Sequence, residues 1–144
     1  YQTRAGSHAV NPLRQVLTWK SRIMSIKRMP AGQFVGYGTT YLTEKALKVA
    51  VVPVGYSDGF ARSMSNLGRV LVRNKRASVI GVVNMSALLV DVTRYRSIAP
   101  GDEVVLIGRQ GRLSISVSSF SELTRTVDYE TLTRLPRDIP RVIT

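Results

Sequence analysis

From residue 47 to residue 116 the chain is cut into short β-branched, apolar runs (47–54, 69–73, 78–83, 88–92, 103–107 and 113–116) separated by polar, turn-forming residues. Runs this short, stiff at χ1 and closely spaced pack as strands rather than helices. They predict an all-β or β-rich fold, a partly open β-barrel of short antiparallel strands with one or two short helices. The run 47–54 is almost wholly apolar, which marks a central strand, and a hairpin through Glu44-Lys45 would pair it with 41–43. Residues 16–29 alternate, with Leu17, Trp19 and Ile23 against Lys20 and Arg22, as in one half-buried strand. Residues 57–67 lack a strand pattern and read as a loop with a helical turn.

Helix signals are confined to the carboxy-terminal part. Ser116 or Ser119 can serve as N-cap, Ser119-x-x-Glu122 matches a capping box, and Phe120, Leu123 and Val127 would share one face. A second short helix is expected near 129–133, and 139–143 reads as an edge strand because Pro140 cannot donate to a ladder. Residues 1–12 show no periodicity and read as a connector.

The 144 residues suit one domain, and no apolar run is long enough for a membrane span. The chain has no cysteine and a single histidine, His8, so disulfides and a cysteine- or histidine-rich zinc site are excluded, in keeping with a reducing cytoplasm. The net charge of +12 raises a polyanion such as RNA as a partner for a non-enzymatic basic β-barrel. Its densest group, Arg69, Arg73, Lys75 and Arg76, has no interleaved aromatics to stack bases, so it reads as a solvated basic surface and no nucleic-acid partner is expected.

Paired carboxylates, a Ser-His-Asp set and a phosphate-cradling P-loop are all missing. Glycines and tyrosines concentrate instead in Val35-Gly36-Tyr37-Gly38-Thr39-Thr40-Tyr41 and in Val52-Pro53-Val54-Gly55-Tyr56-Ser57-Asp58-Gly59. Flanking glycines free the backbone to present a side chain. For Tyr37 and Tyr56 a site role and a packing role both remain open; Tyr41 is read as a packing residue.

Those two segments, with Arg62, resemble the carboxy-terminal domain of alanine racemase. The likeness continues through Leu17-Thr18-Trp19-Lys20-Ser21-Arg22-Ile23, Pro100-Gly101-Asp102-Glu103-Val104, Val127-Asp128-Tyr129-Glu130 and Ile139-Pro140-Arg141-Val142. It covers nearly everything from Leu13 onward. The resemblance implies a pyridoxal-phosphate enzyme that interconverts L- and D-alanine for peptidoglycan, built as a homodimer in which an amino-terminal (β/α)8 barrel carries the cofactor on a lysine. No βα alternation appears here, and none of Lys20, Lys27, Lys45, Lys48 or Lys75 resembles that lysine in context. Residues 13–144 are therefore expected to be the β domain alone, inactive by itself.

By the same resemblance Tyr37 is the base that reaches into the partner subunit's barrel, opposite the cofactor lysine, in a two-base mechanism. Met85 matches the residue whose backbone amide receives the substrate carboxylate, Tyr56 and Arg62 match the substrate corridor, and Tyr129 matches a donor to the cofactor phosphate. No metal is implied. Many family members have Arg-x-Cys-Met-Asp where this chain has Val82-Val83-Asn84-Met85-Ser86, so two corridor charges are lost and a polar amide replaces a thiol. That departure leaves serine, or a broader range of amino acids, as an alternative substrate. A racemase fused to further domains is another alternative.

Overall fold

The computed structural model describes residues 14–144, so the expected connector 1–12 and His8 lie outside the described residues. In chain order the strands are β1 (Trp19–Arg22), β2 (Ser25–Met29), β3 (Leu47–Val52), β4 (Arg69–Val72), β5 (Lys75–Ser78), β6 (Leu88–Asp91), β7 (Glu103–Gln110) and β8 (Leu113–Ile115). Helices α1 (Val117–Thr124) and α2 (Asp128–Thr133) follow. One sheet has the order β1-β7-β4-β5 with β8 also paired to β7, and the other has the order β2-β3-β6. All pairs are antiparallel. The β-rich, open architecture is as expected; among the described residues no continuous ladder closes the two sheets into a barrel.

The alternating stretch 16–29 is two strands rather than one. Ile23 donates its N–H to Asp102 and accepts from the Gly101 N–H, whereas the Met24 N–H turns to Val51 in the other sheet. Consecutive residues thus belong to different sheets, and the buried Ile23 seals the corner. A second junction is the isolated bridge between Val79 and Val90.

Strand β3 is central, as its composition predicts, but its partners are β2 (Met29 opposite Leu47) and β6 (Val52 opposite Leu88). The hairpin with 41–43 does not form. Val49, Ala50 and Val52 are buried, and a strand covered on both faces gains most from two neighbouring strands. Residues 41–43 instead fold back on 33–35 through the Phe34–Leu42 bridge. The expected strand 78–83 shifts to Lys75–Ser78, because Arg73 and Asn74 both take positive φ (48° and 60°) and make the two-residue turn that sets Val72 opposite Lys75.

Strand β7 runs beyond 107, and Val104, Val105, Leu106 and Ile107 are all fully buried. Ser116 is the N-cap of α1, its hydroxyl accepting from the Ser119 N–H, so Ser119 lies inside the first turn and the Ser119–Glu122 capping box is not made. Phe120 enters the core, but Leu123, though within the helix, is exposed, and Val127 falls outside it and is exposed because the helix stops at Thr124 with Arg125 left-handed (φ 55°). Helix α2 forms where expected, whereas 139–143 is irregular, with Val142 and Ile143 exposed, rather than an edge strand.

Three aromatic rings bind these parts together. Phe60, from the long β3–β4 connection, meets Phe120 of α1 edge-on at 5.3 Å between ring centroids, and Trp19 of β1 lies 6.3 Å and 6.4 Å from the two. Such pairs contribute about 0.5–1.5 kcal/mol each beyond area burial. They fasten loop, helix and sheet to one core.

Asp102 holds the turn beside the Ile23 corner. It accepts from Arg73 Nε and Nη2 at 3.0 and 2.8 Å and from the Ala99 N–H at 3.0 Å. The Arg73 guanidinium, then the Ala99 N–H, hold its carboxyl below the usual carboxylate range. A depressed carboxyl contributes stability above its unfolded pKa, and that contribution is lost as pH falls through the folded value. Asp102→Asn is expected to cost about 1–2 kcal/mol at neutral pH, since the half-exposed Arg73 is screened by water. In urea titrations the cost should begin to shrink below about pH 4, where the unfolded carboxyl is protonated, and vanish only as pH falls through the depressed folded value. A cost that does not shrink in acid contradicts this reading.

Candidate functional site

Tyr37 stands at the tip of a narrow loop, 79% exposed. The two arms of the loop are tied by Val35 N–H to Tyr41 C=O (2.8 Å) and by Thr43 N–H to Gln33 C=O (2.9 Å). At its base the buried Thr43 hydroxyl donates to Pro30 C=O at 2.7 Å. Gly36 and Gly38 take φ of +76° and +84°, values that let the chain reverse on either side of the phenol. The glycine pair therefore presents Tyr37 to solvent, as its neighbours predict. Tyr41 packs against the smaller core group of Val35, Leu47, Val49 and Ile80, as expected, and burial, with Asp91 and Glu44 adding, raises its phenol.

The turn 55–59 is pressed onto the loop 82–87. The Tyr56 N–H donates to Asn84 C=O (3.0 Å) and the Ser57 N–H to Met85 C=O (2.9 Å), to which the Ser57 hydroxyl adds a bond of 2.6 Å. Asp58 closes the turn by accepting from the Gly55 N–H at 2.9 Å. A Cβ at position 55 would lie 2.2 Å from Asn84 O and 2.3 Å from Met85 O, so only glycine lets the two backbones meet here. Beyond the turn, Phe60 and Met64 plunge into the main core.

This contact settles how Met85 is displayed. Its carbonyl is engaged by Ser57, its side chain is 59% exposed rather than a core filler, and among the described residues nothing accepts a hydrogen bond from its N–H. Tyr56 and Arg62 are exposed on two successive 3-10 turns of the same connection. The turn that carries Tyr56 and the loop that carries Met85 are thus joined directly through backbone, by Tyr56 to Asn84 and Ser57 to Met85. Tyr129 is held on a separate element: it is 80% exposed on α2, a helix locked to α1 by Asp128, which accepts from the Ser118 and Ser121 hydroxyls. The tie between α2 and the turn is the close approach of Gly59 to Arg134 and Leu135.

Sequence reasoning did not single out Ser65 and Asn66, which the fold inserts between these loops. The Ser65 hydroxyl accepts from the Val83 N–H at 2.9 Å, and Asn66 reaches both Gly81 and Thr40. The available signal was an asparagine, a residue that tolerates left-handed backbone, ahead of Gly68. Among the described residues no cluster of His, Asp or Glu could hold a metal ion, and no helix is long and apolar enough to cross a membrane.

Comparison with known proteins gives a consistent assignment. Residues 16–143 match the family model described as "Alanine racemase, C-terminal domain". The chain is 45% identical over 129 residues to an alanine racemase of Halothermothrix orenii, covering 90% of this chain and 34% of that protein. Among solved structures it superposes on alanine racemase from E. faecalis with a TM-score of 0.81 at 31% identity, covering 86% of this chain and 33% of that one. Alanine racemase from Bartonella henselae, solved with covalently bound pyridoxal phosphate, gives a TM-score of 0.84 at 28% identity, covering 92% and 36%. This chain spans about a third of the length of these relatives.

The Gly55 contact predicts that Gly55→Ala forces the two loops apart, at a cost of about 3 kcal/mol or more in chemical denaturation. Amide exchange at Tyr56 and Ser57 should accelerate in the same variant. Parental stability together with parental exchange would show that the seat does not need glycine.

Proposed function

The chain belongs to the alanine racemase C-terminal-domain family, and from that premise we propose that it supplies Tyr37 as an acid–base group to the active site of a second subunit in a pyridoxal-phosphate-dependent alanine racemase. The observation that carries this reading is the presentation of Tyr37, at the exposed tip of a backbone-braced loop that packs on Gly81 and Val82 at the root of the loop carrying Met85, whose N–H is free. Activity belongs on this reading to a longer protein, because the chain corresponds to about a third of its relatives.

Racemisation removes the proton at the substrate's Cα from one face and returns one to the other, so acid–base groups are needed on both. The Tyr37 phenol oxygen takes or returns the proton on one face, and a lysine of the barrel serves the opposite one. The Met85 N–H receives the substrate carboxylate, which the Arg62 guanidinium draws inward past Tyr56. When bound, pyridoxal phosphate supplies delocalisation of the negative charge left at Cα. The residues here fit one part of its site. Tyr129 has an exposed phenol able to donate to a phosphate. Lys20, by contrast, is paired with Glu103, Lys48 donates to Tyr95 C=O, and Lys75 lies over the Tyr95 ring, so these three are committed elsewhere. Two subunits, each presenting Tyr37 to the other, form the homodimer this division of groups requires. The product, D-alanine, would supply peptidoglycan synthesis in the cytoplasm.

The chain supplied with pyridoxal phosphate and L-alanine is expected to form D-alanine no faster than free cofactor does. In the longer racemase that contains this domain, Tyr37→Phe should lower kcat by about 10²–10⁴-fold. Its circular dichroism should be unchanged, because an exposed side chain contributes little to the core. Parental kcat in that variant contradicts the assignment.

A further inference from the structure

The loop that carries Tyr37 and the loop that carries Met85 belong to different parts of the chain, and proton transfer at a bound substrate requires a fixed distance between them. The bonds within the Tyr37 loop, Val35 to Tyr41 and Thr43 to Gln33, tie its two arms to each other but not to the Met85 loop. The two loops meet by packing, with Gly81 close against the Val35 carbonyl and Gly38 against Val82, and one side chain hydrogen-bonds to both. Asn66 Oδ1 accepts from the Gly81 N–H at 2.6 Å, at the root of the Met85 loop. Its Nδ2 donates to Thr40 C=O at 3.4 Å, on the descending arm of the Tyr37 loop. The neighbouring Ser65 hydroxyl secures the same root from the other side by accepting from the Val83 N–H at 2.9 Å.

We propose that Asn66 is a positioning residue that sets the reach of Tyr37 relative to Met85; this rests on the reading of Tyr37 as the acid–base group. The side-chain chemistry is selective. Position 66 has φ of 59°, which asparagine and glycine adopt with little strain, and it must offer an acceptor to an N–H and a donor to a C=O at once. Only a carboxamide of this length does both. Aspartate keeps the acceptor for Gly81 but turns an anion towards Thr40 C=O, and glycine keeps the backbone while removing both bonds. Asn66 touches no reacting atom, so its effect runs through the loop. A displacement of about 1 Å at the phenol can cost about 10²-fold in rate.

The test uses the full-length racemase loaded with pyridoxal phosphate, with Asn66→Gly as the main variant, because it preserves the left-handed backbone and so the fold. Expected are a kcat lower by about 10- to 100-fold with KM little changed, and amide exchange faster by about 10-fold at Gly81 and at Val35 and Thr43, whose N–H groups tie the arms of the Tyr37 loop. Because Tyr37 serves one face of Cα, the Cα-deuterium isotope effect should rise for one enantiomer and not for the other. Asn66→Asp should keep Gly81 exchange slow while Val35 and Thr43 exchange faster and kcat falls. If Tyr37→Phe is inactive but Asn66→Gly keeps parental kcat and exchange, the positioning role is wrong and the assignment of Tyr37 stands. Isotope effects that rise equally for both enantiomers also overturn it, since that pattern marks a general structural defect. An active Tyr37→Phe variant removes the assignment of Tyr37 and the positioning role with it.

Discussion

The contact on which the site depends is the one between two stretches of backbone at Gly55. The Asn84 and Met85 carbonyls lie where a Cβ would stand, and they are taken up by the Tyr56 and Ser57 N–H groups instead. Buried backbone polar groups must find partners, so the close approach also satisfies what it covers. The long β3–β4 connection would otherwise be costly to order, at about 1–2 kcal/mol per residue of backbone entropy. Burial of Phe60 and Met64 offsets part of that cost and ties the connection to the same core as Trp19 and Phe120. From that anchored connection, turn 55–59 fixes the Met85 loop, and Ser65 and Asn66 reach on to its root and to the Tyr37 loop.

The exposed groups are therefore held by backbone and small polar side chains, not by packing of their own. Tyr37, Met85 and Tyr129 contribute little to the core, and each projects from an element secured elsewhere: Tyr37 from a tied loop, Met85 from the Gly55 seat, Tyr129 from a helix pinned through Asp128. A side chain that must act on a separate surface has to be exposed in this domain and yet defined in position. The division between a rigid scaffold and presented groups meets both requirements.

Much of this was legible in the residues. The short β-branched runs reveal a sheet protein, the apolar run at β3 its central strand, and the glycines around Tyr37 its presentation. What escaped has identifiable causes. The alternation set by Leu17, Trp19 and Ile23 changes phase at the adjacent apolar pair Ile23-Met24, after which Ile26 continues it, and a reading as one strand passes over this mark of the change of sheet. The hairpin through Glu44-Lys45 looked favourable on proximity, but β3 is buried on both faces and takes β2 and β6 as partners. The capping box at Ser119 lost to Ser116 because the actual cap lies three residues earlier and offers its own hydroxyl. Asn66 carries no periodicity at all; its importance arises from which loops the fold brings beside it.

On the proposed function, a phenol that completes a site on another subunit would make each active site a joint product of two chains. Mixed dimers provide the direct measurement. One subunit carries Tyr37→Phe with its cofactor lysine intact, and the other carries the parental Tyr37 with that lysine replaced; each homodimer is inactive. If Tyr37 works across the interface, a mixed dimer holds one site with both groups and one with neither, and isolated mixed dimers recover about half the parental rate. No recovery in mixed dimers that have formed and bound cofactor would contradict it, because it would place Tyr37 and the lysine in the same subunit's site.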